Sequence, residues 1–300
     1  MSRREKDRDF GAEGERAFQG EVDAHFVARA EHWQVVYEER NLWSVVLQHR
    51  RRQVLAWVDG VGLARRSRVL DVGCGPGAIA LELARRGLLV YAIDRAAPMA
   101  HRARLNAERG GMNETLFVGI GDTHALSFQD GAFSLLIAVG VIPWVHSPVR
   151  AVQEMARVLR PGGYLIIQAS NSAPMSDLVD HLFAQPLAVF RTVRMLLWRR
   201  LGLGDYVGTR PRMHKHARDD FDRLLSAATL EKVEATTFGF RPFTLVGQSL
   251  VPFRLGLMLH NQLQSLADRG VPGVRWSGEQ YLVLARKPIN EGFEEREPPA

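Results

Sequence analysis

Cysteine is almost missing from this chain: Cys74 stands alone among 300 residues, which excludes a disulfide framework or a cysteine-rich zinc site. Lysine is scarce too. Of 39 basic residues only Lys6, Lys215, Lys232 and Lys287 are Lys, an arginine bias that reflects coding composition more than chemistry. There is no cluster of Lys or Arg interleaved with aromatics of the kind that grips single strands. The net charge of +6 and pI near 9.9 therefore permit anionic partners without identifying one, and no nucleic-acid partner is expected. No apolar run with a small-residue cleavage site follows the charged start MSRREKDRDFGAEGER, so no signal peptide is visible and the chain reads as cytoplasmic. Residues 131–149 carry no Asp, Glu, Lys or Arg, but Gly140, Pro143 and Pro148 interrupt them. Their front half reads as a buried strand rather than a membrane span. No internal repeat is present.

What is there is ordinary for a soluble globular protein: 46% apolar and 24% charged residues, enough chain to bury a full core without staples. Residues 1–20 lack periodicity and are expected to be disordered. From about Glu21 to Asp59 the pattern is helical, with Trp33 and Tyr37 four residues apart on one face. Then short apolar runs alternate with helices. Strands are expected at 67–72 (SRVLDV), 88–93, 116–120, 132–139 and 164–169 (YLIIQA). Helices are expected at 78–86, 97–109 and 148–159. Continuous apolar strands with intervening helices imply an α/β fold with a parallel sheet covered on both faces. A helix at 219–228 and strands at 232–238 and 281–285 follow an insertion, 171–218, rich in Leu, Phe and Arg; the tail after Pro288 is polar, acidic and expected to be disordered.

The first strand delivers Asp71-Val72-Gly73-Cys74-Gly75-Pro76-Gly77 into a helix. Glycines let the backbone turn tightly and come close to a ligand. Asp94, 17 residues beyond Gly77, ends the second strand, where a carboxylate can accept from ribose hydroxyls. Gly73-x-Gly75-x-x-Ala78 also satisfies the dinucleotide fingerprint, so an NAD-dependent oxidoreductase is an alternative. The remaining motifs favour another family. Asp71 with Gly73, Gly75 and Gly77, Gly121-Asp122 followed by Leu126 and Phe128, and Leu159-Arg160-Pro161-Gly162-Gly163 together resemble the class I S-adenosylmethionine (SAM)-dependent methyltransferases, over residues 68–169. Ser127 stands where that family usually has Pro, and Ser134 where Asp commonly follows Phe.

The resemblance implies a Rossmann-like, doubly wound, mostly parallel seven-stranded sheet with an N-terminal helical segment and a helical lid. It implies one domain over 21–288, with its core at 60–170 and 219–288. It further implies that the loop of Asp71, Gly73, Cys74, Gly75 and Gly77 underlies the methionine part of SAM, with Asp94 on the ribose. Arg95 and Met99 would flank the adenine, Asp122 would accept from its amino group with Thr123 beside it, and Val139 and Gly140 would lie beneath the sulfonium. Met99 read as core, and Asp122 as a turn or cap residue, are the alternatives. Tyr37 and Trp33 either fold over the cofactor or simply pack.

Methyl transfer asks the protein chiefly to align an acceptor. His146, beyond the fourth strand, is the candidate base, with a surface role as its alternative. Trp33, Trp144 and Phe190 are candidate substrate contacts. His214 and His216 read as a solvated turn more readily than as a metal pair, and no metal is expected. Gly140-Val141-Ile142-Pro143-Trp144 is not the Asn/Asp-Pro-Pro-aromatic motif of amino-directed nucleobase methylation. The expected activity is methylation of a small, hydrophobic or lipid-like acceptor, with a non-catalytic SAM-fold protein as the third reading. Residues 189–197 place Val189, Phe190, Val193, Leu196 and Leu197 on one half of a helix. The insertion therefore reads either as a packing lid or as an apolar acceptor pocket with at most transient membrane contact.

Overall fold

The computed structural model describes residues 11–36, 39, 41–176, 211, 213–240, 244–245, 248–249 and 252–289. The sheet is built from β1 (Arg68–Val72), β2 (Leu89–Asp94), β3 (Leu116–Ile120), β4 (Phe133–Ala138), β5 (Leu159–Asn171), β6 (Lys215–His216), β7 (Glu231–Phe238) and β10 (Gln280–Arg286). A separate two-stranded piece pairs β8 (Thr244–Leu245) with β9 (Gln248–Ser249). Strand order is β3-β2-β1-β4-β5-β10-β7, with β6 on the edge of β5. The first five pair in parallel, and β10 runs antiparallel to both β5 and β7. Because β5 curls through Arg160-Pro161-Gly162-Gly163 before rejoining β4, the register shifts between Phe133 and Leu135.

Alternation along these strands divides the core in two. Val69, Leu135, Ile137, Ile166, Leu282 and Leu284 face α3 (Leu42–Gly60), α4 (Ala80–Arg85) and α5 (Ala97–Arg109). Leu70, Leu136, Leu165, Ile167, Tyr281 and Val283 face α6 (Pro148–Val158) and α7 (Arg218–Ala227). This is the doubly wound, seven-stranded sheet expected, extended by β6. The expected strands agree with the observed ones to within a residue or two except β5, which is longer at both ends because the Pro-Gly-Gly turn is itself extended.

Three expectations need correction. Residues 11–20, expected to be disordered, enter α1 (Ala12–Ala28). Glu13 and Glu15 suit the positive end of that helix, and Val22, buried at 3% exposure, docks it. The single N-terminal helical stretch is instead α1, α2 (Ala30–Val35) and α3, broken where Asn41 caps α3. His216 belongs to β6 rather than to a solvated turn. One helix, α8 (Phe253–Asp268), was not foreseen; it packs on α3 and β7 through His260, whose Nδ1 lies 2.9 Å from the Phe240 carbonyl oxygen. Residues 177–210 of the insertion lie outside the described residues.

The break before α3 is closed by local hydrogen bonds. The Asn41 side chain accepts from the Ser44 N–H at 2.8 Å, and the buried Ser44 hydroxyl donates to the Val36 carbonyl at 2.6 Å. Asn41→Ala is expected to cost about 1 kcal/mol, seen as a lower urea midpoint at unchanged m-value.

Candidate active site

Strand order reverses between β1 and β4, and open α/β sheets bind ligands outside the carboxyl ends of such strands. A cavity of about 560 Å³ lies there, between the 73–79 loop, the ends of β2, β3 and β4, and α1 and α2 above. The loop is pinned from below: Gly73 and Cys74 N–H both donate to the Ile93 carbonyl (2.8 and 3.0 Å), and Gly75 N–H donates to Asp94 Oδ2 at 2.8 Å. The loop's glycines serve different ends. A Cβ on Gly73 would come within 2.5 Å of Val141 Cγ2. Gly75 has φ +54° and its Cβ direction is open to 4 Å, so its bare backbone faces the cavity. Gly77 is not part of the cavity wall. A Cβ there would meet Ala103 at 3.3 Å, so Gly77 seats the loop on α5 rather than facing a ligand.

Two carboxylates lie under this loop. Asp94 Oδ1 accepts from Ala96 N–H at 2.9 Å while Oδ2 holds Gly75. Burial raises its pKa, and those two bonds oppose the rise. Asp71 is 3% exposed, and its Oδ2 has no hydrogen-bond partner among the described residues. Burial first, then the Asp94 charge, push its carboxyl up to about 7. The Cys74 thiol is pushed well up by burial and by the same two acids, so it is no nucleophile at neutral pH.

Arg95 bridges Asp23 of α1, at 2.8 Å, and Asp122, tying α1 to the sheet. Asp122 Oδ1 accepts from the His124 backbone N–H (2.9 Å) and lies 2.8 Å from its Nδ1. These bonds, then Arg95, hold the Asp122 carboxyl well below the usual carboxylate range. His124 Nε2 accepts from Ser147 N–H at 3.3 Å, which assigns the proton to Nδ1. His146 stacks on His124 with ring centroids 3.6 Å apart. Its Nδ1 meets Gln19 at 3.2 Å and its Nε2 lies 3.8 Å from Glu15, both on α1. Burial lowers its pKa. As a candidate base it is misplaced: Val145 lines the cavity, but His146 turns away to α1 and does not.

Arg95, Met99, Thr123, Val139, Gly140, Trp33 and Trp144 all line the cavity. Met99 also belongs to a buried cluster with Ala30 and Ala96, so the core and cavity readings hold together. Trp144 stacks with His25 and meets Phe26 edge-on at 5.4 Å, and Phe26 packs on Trp33. The Trp33 indole N–H is buried with no acceptor among the described residues. Tyr37 and Phe190 lie outside the described residues. Among the described residues no group of three or more His, Cys, Asp or Glu could hold a metal. Sequence reasoning missed Arg50, which is nearly buried on α3 with its guanidinium 3.3 Å from where a Gly140 Cβ would stand. It also missed His124, Gln168 and Gln280. Gln168 carried a signal, as a lone amide inside the apolar strand YLIIQA; the others had none.

A methyltransferase-domain family profile matches residues 70–167. Those residues carry a methyltransferase domain. It is 36% identical over 122 residues to a phosphatidylethanolamine N-methyltransferase of Cereibacter sphaeroides, covering 41% of this chain and 58% of that protein. It is 31% identical over 117 residues to a ubiquinone biosynthesis O-methyltransferase of Paracidovorax citrulli (39% and 49%). A tRNA 5-carboxymethoxyuridine methyltransferase of Escherichia coli K12 is 30% identical over 139 residues (44% and 53%). The chain thus spans about half the length of these curated relatives. In fold, the methyltransferase domain is similar to magnesium protoporphyrin IX methyltransferase from Synechocystis solved with SAH, with TM-score 0.56 and 16% identity over 90% of this chain and 99% of that one.

Gly75→Val would place a branched side chain in the open cavity at a positive φ. It is expected to abolish SAM binding measured by calorimetry while the circular dichroism of the fold is kept.

Proposed function

We propose that the chain transfers a methyl group from SAM to a small acceptor with a substantial apolar part. The observation that supports this most is the pair of buried carboxylates, Asp71 and Asp94, beneath an open glycine backbone. A ligand with cationic centres is attracted by the charge of these two acids. The pyrophosphate of a dinucleotide would instead bring like charge against both acids, which weighs against the NAD reading.

The residues present fit SAM. Asp71 would face its cationic end and Arg50 its carboxylate. Asp94, with lone pairs left on both oxygens, would take the ribose hydroxyls, and Met99 would give the adenine an apolar surface. When bound, SAM supplies an electrophilic methyl on a sulfonium. The chain's own part is alignment and exclusion of water: Val139 and Gly140 set the floor, and Phe26, Trp33 and Trp144 enclose the acceptor side. Of the histidines that line the cavity, His124 has both ring nitrogens engaged within the chain, while His25 stacks on Trp144 at the acceptor side. The mechanism proposed rests on alignment, and no residue is assigned as a dedicated base.

The apolar part of the acceptor is argued from Phe26, Trp33, Val141, Pro143, Trp144 and Met213 around the cavity. The relatives named for phosphatidylethanolamine and ubiquinone biosynthesis agree with it. The tRNA relative is the counter-case; a small molecule is proposed over RNA because aromatic and apolar side chains line the acceptor side, and Arg95, among the lining arginines, is engaged by Asp23 and Asp122. No described helix is long and apolar enough to cross a membrane.

Calorimetry should show binding of SAM and not of NAD. Label from methyl-labelled SAM, incubated with fractionated cell extract, should enter the organic-soluble fraction; label in RNA would overturn the acceptor class.

Asp71 also sets a pH dependence. A cationic ligand favours its ionised form, so SAM affinity should rise between about pH 6 and 8, with proton release on binding. Calorimetry in buffers of different ionisation enthalpy checks this, and Asp71→Asn should bind weakly and lose that dependence. In the free protein the sign is the reverse. Its folded value, about 7, exceeds the ordinary 3.8, so this group's stabilisation is full below about pH 4 and is lost as pH rises through about 7.

A further inference from the structure

The helix α8 is built inside out. A surface helix of a globular protein normally turns its large apolar side chains to the core. In α8 the buried residues are Gly256, His260, Gln264 and Ala267, all small or polar. Their spacing puts them on one stripe, and hydrogen bonds seat it. His260 meets the Phe240 carbonyl, and Gln264 Nε2 donates to the Thr237 carbonyl at 3.1 Å. None of the helix's Phe, Leu and Met side chains is buried. Phe253, Leu255, Met258 and Leu266 are 37–48% exposed, and Leu257, Leu259 and Leu263 are half-buried.

Single exposed apolar side chains are ordinary on a protein surface, but these form a row. Leu255, Met258 and Leu266 lie opposite the seated stripe, with Phe253 in the first turn. Charge of one sign flanks them. No Asp or Glu occurs between Glu234 and Asp268. Arg254 and, past the helix end, Arg269 are exposed and make no ion pair among the described residues.

An exposed apolar row, flanked by arginine and free of acid, is what a negatively charged bilayer attracts. A second copy of the chain fits less well, because these few side chains fall far short of the roughly 20–30 residues a side that a stable dimer uses. We propose that α8 docks the protein on an anionic lipid surface, with Phe253, Leu255 and Met258 entering the headgroup region and Arg254 on lipid phosphate. The contact is peripheral: the helix lies on the bilayer and does not span it. α8 packs on α3, and α3 carries Trp43 and Arg50 into the cavity wall, so the docked face stands one helix away from the site. The proposal accords with a lipid-like acceptor but rests on α8 alone.

Co-sedimentation of the full chain with vesicles of phosphatidylcholine, alone or mixed with phosphatidylglycerol, tests it. Binding should be stronger to the mixed vesicles and should weaken with salt. The double change Leu255→Asp/Met258→Asp, at exposed positions, should lower vesicle affinity roughly tenfold or more. Arg254→Gln should lower it roughly fivefold, on the mixed vesicles only. A direct reading comes from Met258→Cys carrying an environment-sensitive fluorophore, since Cys74 is buried; its emission should shift to the blue when mixed vesicles are added. No vesicle binding, no shift at position 258, or binding untouched by the double change overturns the proposal, the last assigning the contact to another part of the chain. So does sedimentation velocity showing a dimer that the double change splits, which would give the face to a second copy. SAM enters none of these arms, so failure here leaves the methyl-transfer reading standing, and a chain that failed to bind SAM would leave this one standing.

Discussion

One carboxylate holds the crevice together. Asp94 takes the N–H of Gly75 on one oxygen and that of Ala96 on the other, so a single side chain fixes both the turn after β1 and the entry into α5. The neighbouring Arg95 is thereby placed to reach Asp23 and Asp122 at once. The position of α1 over the cavity follows from those pairs. Burial, and after it the same negative charge, keep Asp71 from ionising readily.

The rim network explains why the histidines do not behave as sequence position suggests. His146 follows β4 on the ligand face of the sheet, where a base is useful. The 3-10 turn at Ile142–Trp144 directs Val145 inward and leaves His146 to stack on His124. That stack joins α1, through Gln19, to Asp122. Its work is to position a helix, and its contacts with Gln19 and Glu15 belong to the cover rather than to a substrate.

Much of the sheet was legible because its signals are local. SRVLDV and YLIIQA are apolar runs bounded by turn residues, and the 73–77 glycines mark a close approach whatever packs around them. The role of Gly77 was not legible: the reason for that glycine is Ala103, a neighbour the fold brings from another helix. Residues 11–20 were misjudged because α1 is weakly patterned and gains its order from docking, with Val22 buried and Asp23 paired. The helix α8 had apolar residues in plenty but no capping residue, its N-cap position being Pro252. Gln280 looks like the polar start of a strand until β5 is set beside it; only pairing makes two distant amides a wall.

The attachment of α1 has a kinetic side. The Arg95–Asp23 pair is exposed to solvent, and the His146–Gln19 contact is a neutral hydrogen bond. Exposed pairs of this kind are worth no more than about 1 kcal/mol, far less than the sheet beneath them. The polar attachments of the roof are therefore weak, and it is held down chiefly by buried Val22 and by Phe26 against Trp33 and Trp144. A ligand beneath that helix can exchange by its lifting, at a rate set by those few contacts and not by the stability of the sheet.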